Sequence, residues 1–533
     1  MADLVFRAAT VVDGSGADRF RADVALCDGR IAELGEGLRG RQVIDAEGLV
    51  LAPGFIDMHA HSDLALLTDP VHPSRTTQGV TTEVLGQDGL SYAPVDDRTL
   101  PALRRQLAGW NGDPPGLAWN WRSVGEYLDR LDAGSAVNAC YLVPHGTLRM
   151  LALGWDDRPP TPGELDRMCE LLAQGLAEGA VGMSSGLSYP PGMYADTDEL
   201  VALCAVVAAH GGYHSPHQRS YGAGALAGYA EMVEISRRSG CPLHLAHATM
   251  NFGVNQGRAG ELLELLDRAI ADGCDLTLDS YPYLPGSTTL AALLPSWAAE
   301  GGPEATFARL ADPAARERIR HQLEVTGSDG CHGVVADWAA VQISGVRRPR
   351  LAGAVGATVA ELAAARGQSG TEVFLDLLRE DELGTTVLQH VGHEENVRAI
   401  MRHPAHTAGS DGLLVGARPH PRAWGTFARY LGYYGRELGV LTLEQAVARM
   451  TGRPARRLRL RRRGLVRPGH HADLVLFEPE TVRDTATFEH PRRPAAGVHH
   501  VYVNGTAVLA DGRPTGARPG RALRRTDRGT AAR

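Results

Sequence analysis

Residues 53–63 read PGFIDMHAHSD. A short apolar run, Phe55 to Asp57, leads into His59 and His61. Alternate residues of a strand point the same way, so both imidazoles can face one point. Two neutral imidazoles at one point suit a divalent metal. A bare His-x-His pair carries little weight. At the end of a first barrel strand it carries much more, because barrel enzymes keep their sites there.

Outward from this stretch, β-branched runs alternate with helical segments from about Phe55 to Arg463. VTTEVLG (80–86), AVNACYLVPHGT (136–147), AVGMSSGL (180–187), GGYHSPHQR (211–219), PLHLAHAT (242–249), DLTLDSYPY (275–283), TTVLQH (385–390) and HTAGSDG (406–412) read as strand ends running into loops. Amphipathic stretches separate them, one opening on a capping box formed by Asp196 and Glu199. About eight βα units in this length point to a TIM-type barrel. A doubly wound sheet is the alternative, weakened because no GxGxxG opens a helix after a strand. The two ends of the chain resemble each other and not the middle. LVFRAATVVDG (4–14), DVALCDGRIAELG (23–35) and VHHVYVNGTAVLADG (498–512) are short strands with Asp-Gly and Asn-Gly turns. The expected organisation is therefore α/β. Residues 1–54 and 464–512 supply a small β domain, and 55–463 supply the barrel. An insertion falls within about 284–365, and 513–533 is an Arg-, Gly- and Pro-rich flexible tail.

Composition narrows the function. With 54 basic against 62 acidic residues among 533, the net charge of −8 argues against a nucleic-acid partner. The apolar run Leu200 to Ala209 is too short to span a bilayer, and the N-terminus lacks a signal-peptide pattern. Seven scattered cysteines without a CxxC fit a reduced cytoplasm. The chain has no lysine, so every basic residue is arginine. That excludes a lysine Schiff base, a Walker lysine and a carboxylated lysine bridging two metals. Eight arginines crowd residues 449–463, read as a solvated helix end, with an anion site as the minor alternative.

Other candidates lie at later strand ends: His214 and His217, then His244 and His247. One of each pair could complete a metal site while the other packs in the core. Asp411 could bind metal, move a proton or cap the next helix.

The motifs together resemble the amidohydrolase superfamily, and within it the N-acyl-D-amino-acid deacylases (D-aminoacylases). PGFIDMHAHSD resembles the superfamily's first-strand metal motif. GLSYPPGMYADTDEL (186–200), GSDG followed by RPHPRAWGTFARYLGYY (418–434), and GLVRPGHHADLVLFEP (464–479) resemble the deacylase subgroup. The similarity runs from about Asp3 to Gly512. It implies a (β/α)8 barrel with a small β-sandwich. It also implies one or two divalent ions, usually Zn2+, held by His59, His61, His217 and His247. The family places a further cysteine ligand in the loop after VTT, where this chain has Asp88. A carboxylate can ligate or bridge a divalent ion, though it is a harder donor than thiolate.

The implied reaction removes the acyl group from a small N-acyl-D-amino acid by attack of metal-activated water, with Asp411 as general base and then general acid. His145 in VPHGTLR matches a subgroup motif, and stands either at the substrate or packed in the core. Arg422 matches the arginine that receives the substrate carboxylate. Tyr283 and Ser287 match the pocket lining. Where the family often carries a lysine this chain has Thr249, so either Arg219 is the replacement or the preferred substrate differs. The competing readings are a cyclic-amide (hydantoin or lactam) hydrolase and a catalytically dead metal-binding relative.

Overall fold

The computed structural model describes residues 1–526 and 530–531. Eight parallel strands lie side by side in chain order. They are β1 (Phe55–Asp57), β2 (Val80–Leu85), β3 (Asn138–Pro144), β4 (Gly182–Gly186), β5 (Tyr213–His217), β6 (Leu243–Leu245), β7 (Leu276–Ser280) and β8 (His406–Ala408). Met58 N donates to Ala408 O at 3.2 Å, and Ala60 bridges Gly412 in parallel. First and last strands therefore meet and the sheet closes as a barrel. β2 and β3 are buried at every residue, as expected for parallel strands covered on both faces.

The helices between strands obey local capping rules. Thr161 and Glu164 form a reciprocal capping box at the start of Pro162–Ala177. Asp196 caps Thr197–Ala209 through the Glu199 amide at 2.8 Å. The expected return contact is missing there, because the Glu199 carboxylate turns inward to His145 Nε2 at 2.7 Å and to Arg149.

Thr386–Gln389, expected as a barrel strand end, lies elsewhere. It pairs antiparallel with Gly286–Thr289 and Val341–Gly345 in a separate three-stranded sheet. A short β-branched run looks the same in either sheet. Helices Pro303–Ala311, Pro313–His321, Val359–Arg366 and Gly370–Glu380 pack with that sheet around Leu310, Ile343, Phe374 and Leu377. The insertion thus reaches past residue 365 to Gln389.

The small domain joins both ends of the chain in one nine-stranded sheet. Val50–Pro53 pairs antiparallel with Leu474–Phe477, Val50 opposite Phe477. The sheet curls until Ile31 N donates to His470 O and Ala472 N to Gly29 O, both at 2.9 Å. Both hairpin turns take the left-handed conformation their sequences favour: φ is 50° and 73° at Asp28-Gly29, and 49° and 82° at Asn504-Gly505.

Two expectations about the C-terminal third are corrected. Residues 520–525 are not a loose tail. Gly520 bridges Ser135, Ala522 bridges Ala139, Leu523 is buried, and Arg525 N donates to Gly179 O. The rest of that tail (527–529 and 532–533) lies outside the described residues. The arginine run is not simply solvated either. Arg449 is buried and donates to Met401 O and Arg402 O. Arg457 holds Asp275 at 2.7 Å, and Arg463 pairs with Asp473. In these three the guanidinium forks satisfy backbone carbonyls and acids, while Arg456, Arg459, Arg461 and Arg462 are exposed as expected.

His214 gives the fold a pH dependence. It is buried on β5, with Nε2 against Ser185 Oγ at 2.8 Å and, among the described residues, no partner for Nδ1. Burial, with His145 beside it, pushes its pKa down to about 3. An unfolded histidine takes its proton near 6.5. The stability is therefore complete above that pH and is lost as pH falls toward 3. The expected loss from this group between pH 7 and pH 5 is about 2 kcal/mol. Urea denaturation at the two pH values measures it; a His214→Gln variant with an unchanged pH slope would refute the assignment.

Candidate active site

The donors expected from sequence converge at the C-terminal end of the barrel. His59 and His61 follow β1, Asp88 follows β2, His217 ends β5, His247 follows β6 and Asp411 follows β8. One ligand atom from each of His59, His61, Asp88 and Asp411 lies within 4.8 Å of the others, and so it is for Asp88, His217 and His247. Asp88 belongs to both sets. Its Oδ1 is 3.5 Å from His59 Nε2 and 3.5 Å from His247 Nε2; its Oδ2 is 3.4 Å from His61 Nε2 and 3.8 Å from His217 Nδ1.

The backbone is strained where this happens. Asp88, His247 and Asp411 have φ of 55°, 31° and 48°, a region non-glycine residues rarely enter. Glycines make the close approaches possible. A Cβ on Gly186 would lie 2.0 Å from Asp88 O, and one on Gly409 would lie 2.6 Å from Asp279 Oδ1.

The donor set fits a divalent cation. Both ring nitrogens of His59 and the Oδ1 of Asp88 are buried without a hydrogen-bond partner among the described residues, which is costly unless something else satisfies them. Burial opposes a proton on His59, yet Asp88 and then Asp411 lift its pKa well above the ordinary value. Burial opposes charge on Asp88 too, and His59 and His247 hold it well below the carboxylate range. The carboxylates thus favour positive charge at this point.

The paired histidines are resolved. His217 faces the cluster, its Nε2 held by Ser188 Oγ at 2.6 Å, while His214 faces Ser185. His247 faces the cluster, whereas His244 Nε2 bonds Asp279 Oδ2 at 3.0 Å. Asp279 on β7 also accepts from the His247 amide at 2.9 Å and lies 3.8 Å from His59 Nδ1. It is the shared buttress beneath the site, the kind of outer partner that orients ligands. Its signal, an acid at the end of a strand-like run, was present in DLTLDS.

Asp411 Oδ1 lies 3.1 Å from His61 Nε2, and Oδ2 lies 2.9 Å from Arg422 Nη2. Arg422 is fully buried, reaches Ser287 O at 3.3 Å and lies over the Tyr281 ring at 4.4 Å. Burial would raise the Asp411 carboxyl; Arg422, then His59, pull it below the carboxylate range.

Three expected substrate contacts are placed elsewhere. Tyr283 is turned to Asp484, 3.4 Å away, and Tyr281 lines the site cavity instead. Arg219 is committed to Glu231 at 2.7 Å and to the carbonyls of Met193 and Ala195. His145 is buried against Glu199. Ser287 and Thr249 do line the cavity, which has a volume of about 60 Å³. Trp110, Tyr189 and His332 line it too; Tyr189 lies within the motif at 186–200, whereas no motif pointed to Trp110 or His332. The insertion supplies His332, where burial pushes the imidazole down to about 4.

Comparison with known proteins agrees with this architecture. The model of the amidohydrolase family matches residues 42–509. The chain belongs to the amidohydrolase family. This amidohydrolase is 36% identical to a D-aminoacylase of Alcaligenes xylosoxydans xylosoxydans over 98% of each chain. It is also 36% identical to an N-acyl-D-glutamate deacylase of that organism, over 98% of this chain and 96% of the other. Among solved structures it resembles the N-acyl-D-glutamate deacylase of Bordetella bronchiseptica complexed with zinc and a phosphonate mimic of the tetrahedral intermediate. The TM-score is 0.84 and the identity 35%, over 98% of this chain and 99% of that one.

Proposed function

We propose that this amidohydrolase is a metal-dependent N-acyl-D-amino-acid deacylase. The observation that carries the reading is the convergence of four histidines and Asp88 beside an ionised Asp411 clamped by Arg422. The D preference and the choice of zinc follow the relatives. His59, His61, His217, His247 and Asp88 would hold the ion, with Asp88 shared between the two donor sets if two ions bind. The chemistry such an ion supplies is Lewis acidity, toward a carbonyl oxygen and toward water.

The chain's own residues do the rest. Asp411 accepts the proton of the attacking water and returns it to the departing nitrogen, because an amide nitrogen leaves only when protonated. Arg422 orients Asp411 through Nη2; its Nε and Nη1 have no partner among the described residues. Those donors suit the substrate carboxylate. Tyr281 and Ser287 line the same side. Ser188 and Asp279 fix the rings of His217 and His244 and the amide of His247. The seven cysteines, with no pair bonded, are in keeping with a cytoplasmic setting. Among the described residues no helix is long and apolar enough to cross a membrane.

The test is amino-acid release from N-acyl-D- and N-acyl-L-amino acids by protein stripped of metal and reloaded with zinc, cobalt or manganese. Release confined to D-substrates and lost on stripping is expected. Metal bound stoichiometrically without release from any acylated amino acid would sink the reading.

A further inference from the structure

The chamber beside Asp88 and Asp411 is small, about 60 Å³. A second cavity of about 440 Å³ adjoins it, and Trp110, Tyr189 and Ala292 line both. The shared wall stands directly on the candidate ligands. The Trp110 ring centre is 5.3 Å from that of His61 and 4.8 Å from that of Tyr189, which in turn is 4.6 Å from that of His217. Beyond the wall the lining is mainly apolar, with Leu90, Leu107, Trp155, Leu294 and Phe307. Its charged groups have partners: Arg105 pairs with Glu304, Glu382 with Arg347 and Arg348, and Arg379 lies 3.8 Å from Asp376. Those guanidiniums are half-exposed and paired, whereas the buried Arg422, stacked over the Tyr281 ring, has Nε and Nη1 without a partner among the described residues.

We propose that the cavity behind Trp110 and Tyr189 receives the acyl chain of the substrate, so that the enzyme acts on N-acyl amino acids with medium-length aliphatic acyl groups in preference to N-acetyl ones. The inference rests on the deacylase reading for its catalytic consequence. The substrate carboxylate lies toward Arg422 and the scissile carbonyl beside Asp411. The hydrocarbon passes into a space that water fills poorly and methylenes fill well. Each buried methylene is worth about fourfold in kcat/KM.

The experiment is a chain-length series on one amino acid, acetyl to decanoyl-D-alanine, alongside N-acetyl-D-leucine and N-acetyl-D-phenylalanine. The metal-loaded enzyme is compared with Ala291→Phe, a change confined to the second cavity. The expected result is kcat/KM rising at least a hundredfold from acetyl to octanoyl. Ala291→Phe should remove at least tenfold of that gain and leave acetyl turnover unchanged. A flat series, or a gain that follows the amino-acid side chain instead, overturns the proposal. Tryptophan-fluorescence titration of the metal-free protein with octanoate separates the two readings. If no substrate is hydrolysed, saturable binding weakened by Ala291→Phe upholds the cavity assignment while the deacylase reading fails. Absence of saturable octanoate binding overturns the cavity assignment whatever the enzyme hydrolyses.

Discussion

Asp411→Asn lowers kcat for N-acyl-D-amino-acid hydrolysis by about 10³–10⁴-fold, the upper part of the range for losing a positioned proton-transfer group. The substitution keeps the volume and the acceptor oxygen that faces His61, 3.1 Å from the present Oδ1. It removes the charge that Arg422 holds at 2.9 Å and the capacity to carry a proton between water and nitrogen. KM should change much less than kcat, because the loss falls on the transition state. Bound metal should persist through the four histidines and Asp88. Steady-state kinetics with metal analysis of the same sample decide the matter. A kcat within tenfold of the parent at full metal loading would remove Asp411 from the proton path.

The second large effect falls on stability and arises from a network outside the metal cluster. Glu83 on β2 is fully buried, accepting from Ser62 Oγ and His72 Nε2, each at 2.9 Å, and from Arg75. Arg75 is equally buried; it also donates to Ala423 O and lies 3.4 Å from Asp57 Oδ2. This ties β1 and β2 to the segment that presents Arg422. Glu83→Gln leaves a buried guanidinium short of its main counter-charge. The expected loss is about 3–5 kcal/mol, typical of breaking a buried pair from one side. Burial by itself would raise the Glu83 carboxyl, but His72 and Arg75 outweigh it and bring it down to about 2. Its contribution is therefore full above the unfolded value near 4.3 and fades as pH falls toward 2. The Gln variant should lack that part of the acid dependence. Urea unfolding of both proteins at pH 7 and pH 4 tests this; a loss under 1 kcal/mol at pH 7 would show that Asp57 and Ala423 suffice for Arg75.

Much of the site was legible because strand ends are local features. His59, His61 and Asp411, and one histidine of each later pair, were legible from their places after strand-like runs, whereas Asp88 and the choice of His217 and His247 came only with the family resemblance. One ambiguity was soluble in principle. His214 and His217 are three residues apart on one strand, so they must point to opposite faces, and only one can reach the cluster. The Tyr281 and Tyr283 choice is not settled this way, because the two share parity. Tyr283 turns away because Asp484 and Arg429, far along the chain, engage it.

By itself the sequence determined the barrel class, the small domain built from both ends, the donor types of the cluster and, through the absence of lysine, the exclusion of a carboxylated-lysine bridge. These depend on periodicity, turn chemistry and composition, all readable within a few residues. Only the tertiary structure decided which charges meet. Arg422 holds Asp411, Arg219 is spent on Glu231, and Arg449, Arg457 and Arg463 clamp backbone and acids while their neighbours Arg456, Arg459, Arg461 and Arg462 face solvent. It also decided that residues near 90, 107, 155, 190 and 294 enclose one apolar cavity. The physical reason is the same in each case. A side chain's local pattern fixes the direction it points, but its partner is chosen by how the chain folds back on itself, near in sequence for Arg422 and Asp411 or Arg219 and Glu231 and far for Arg457 and Asp275.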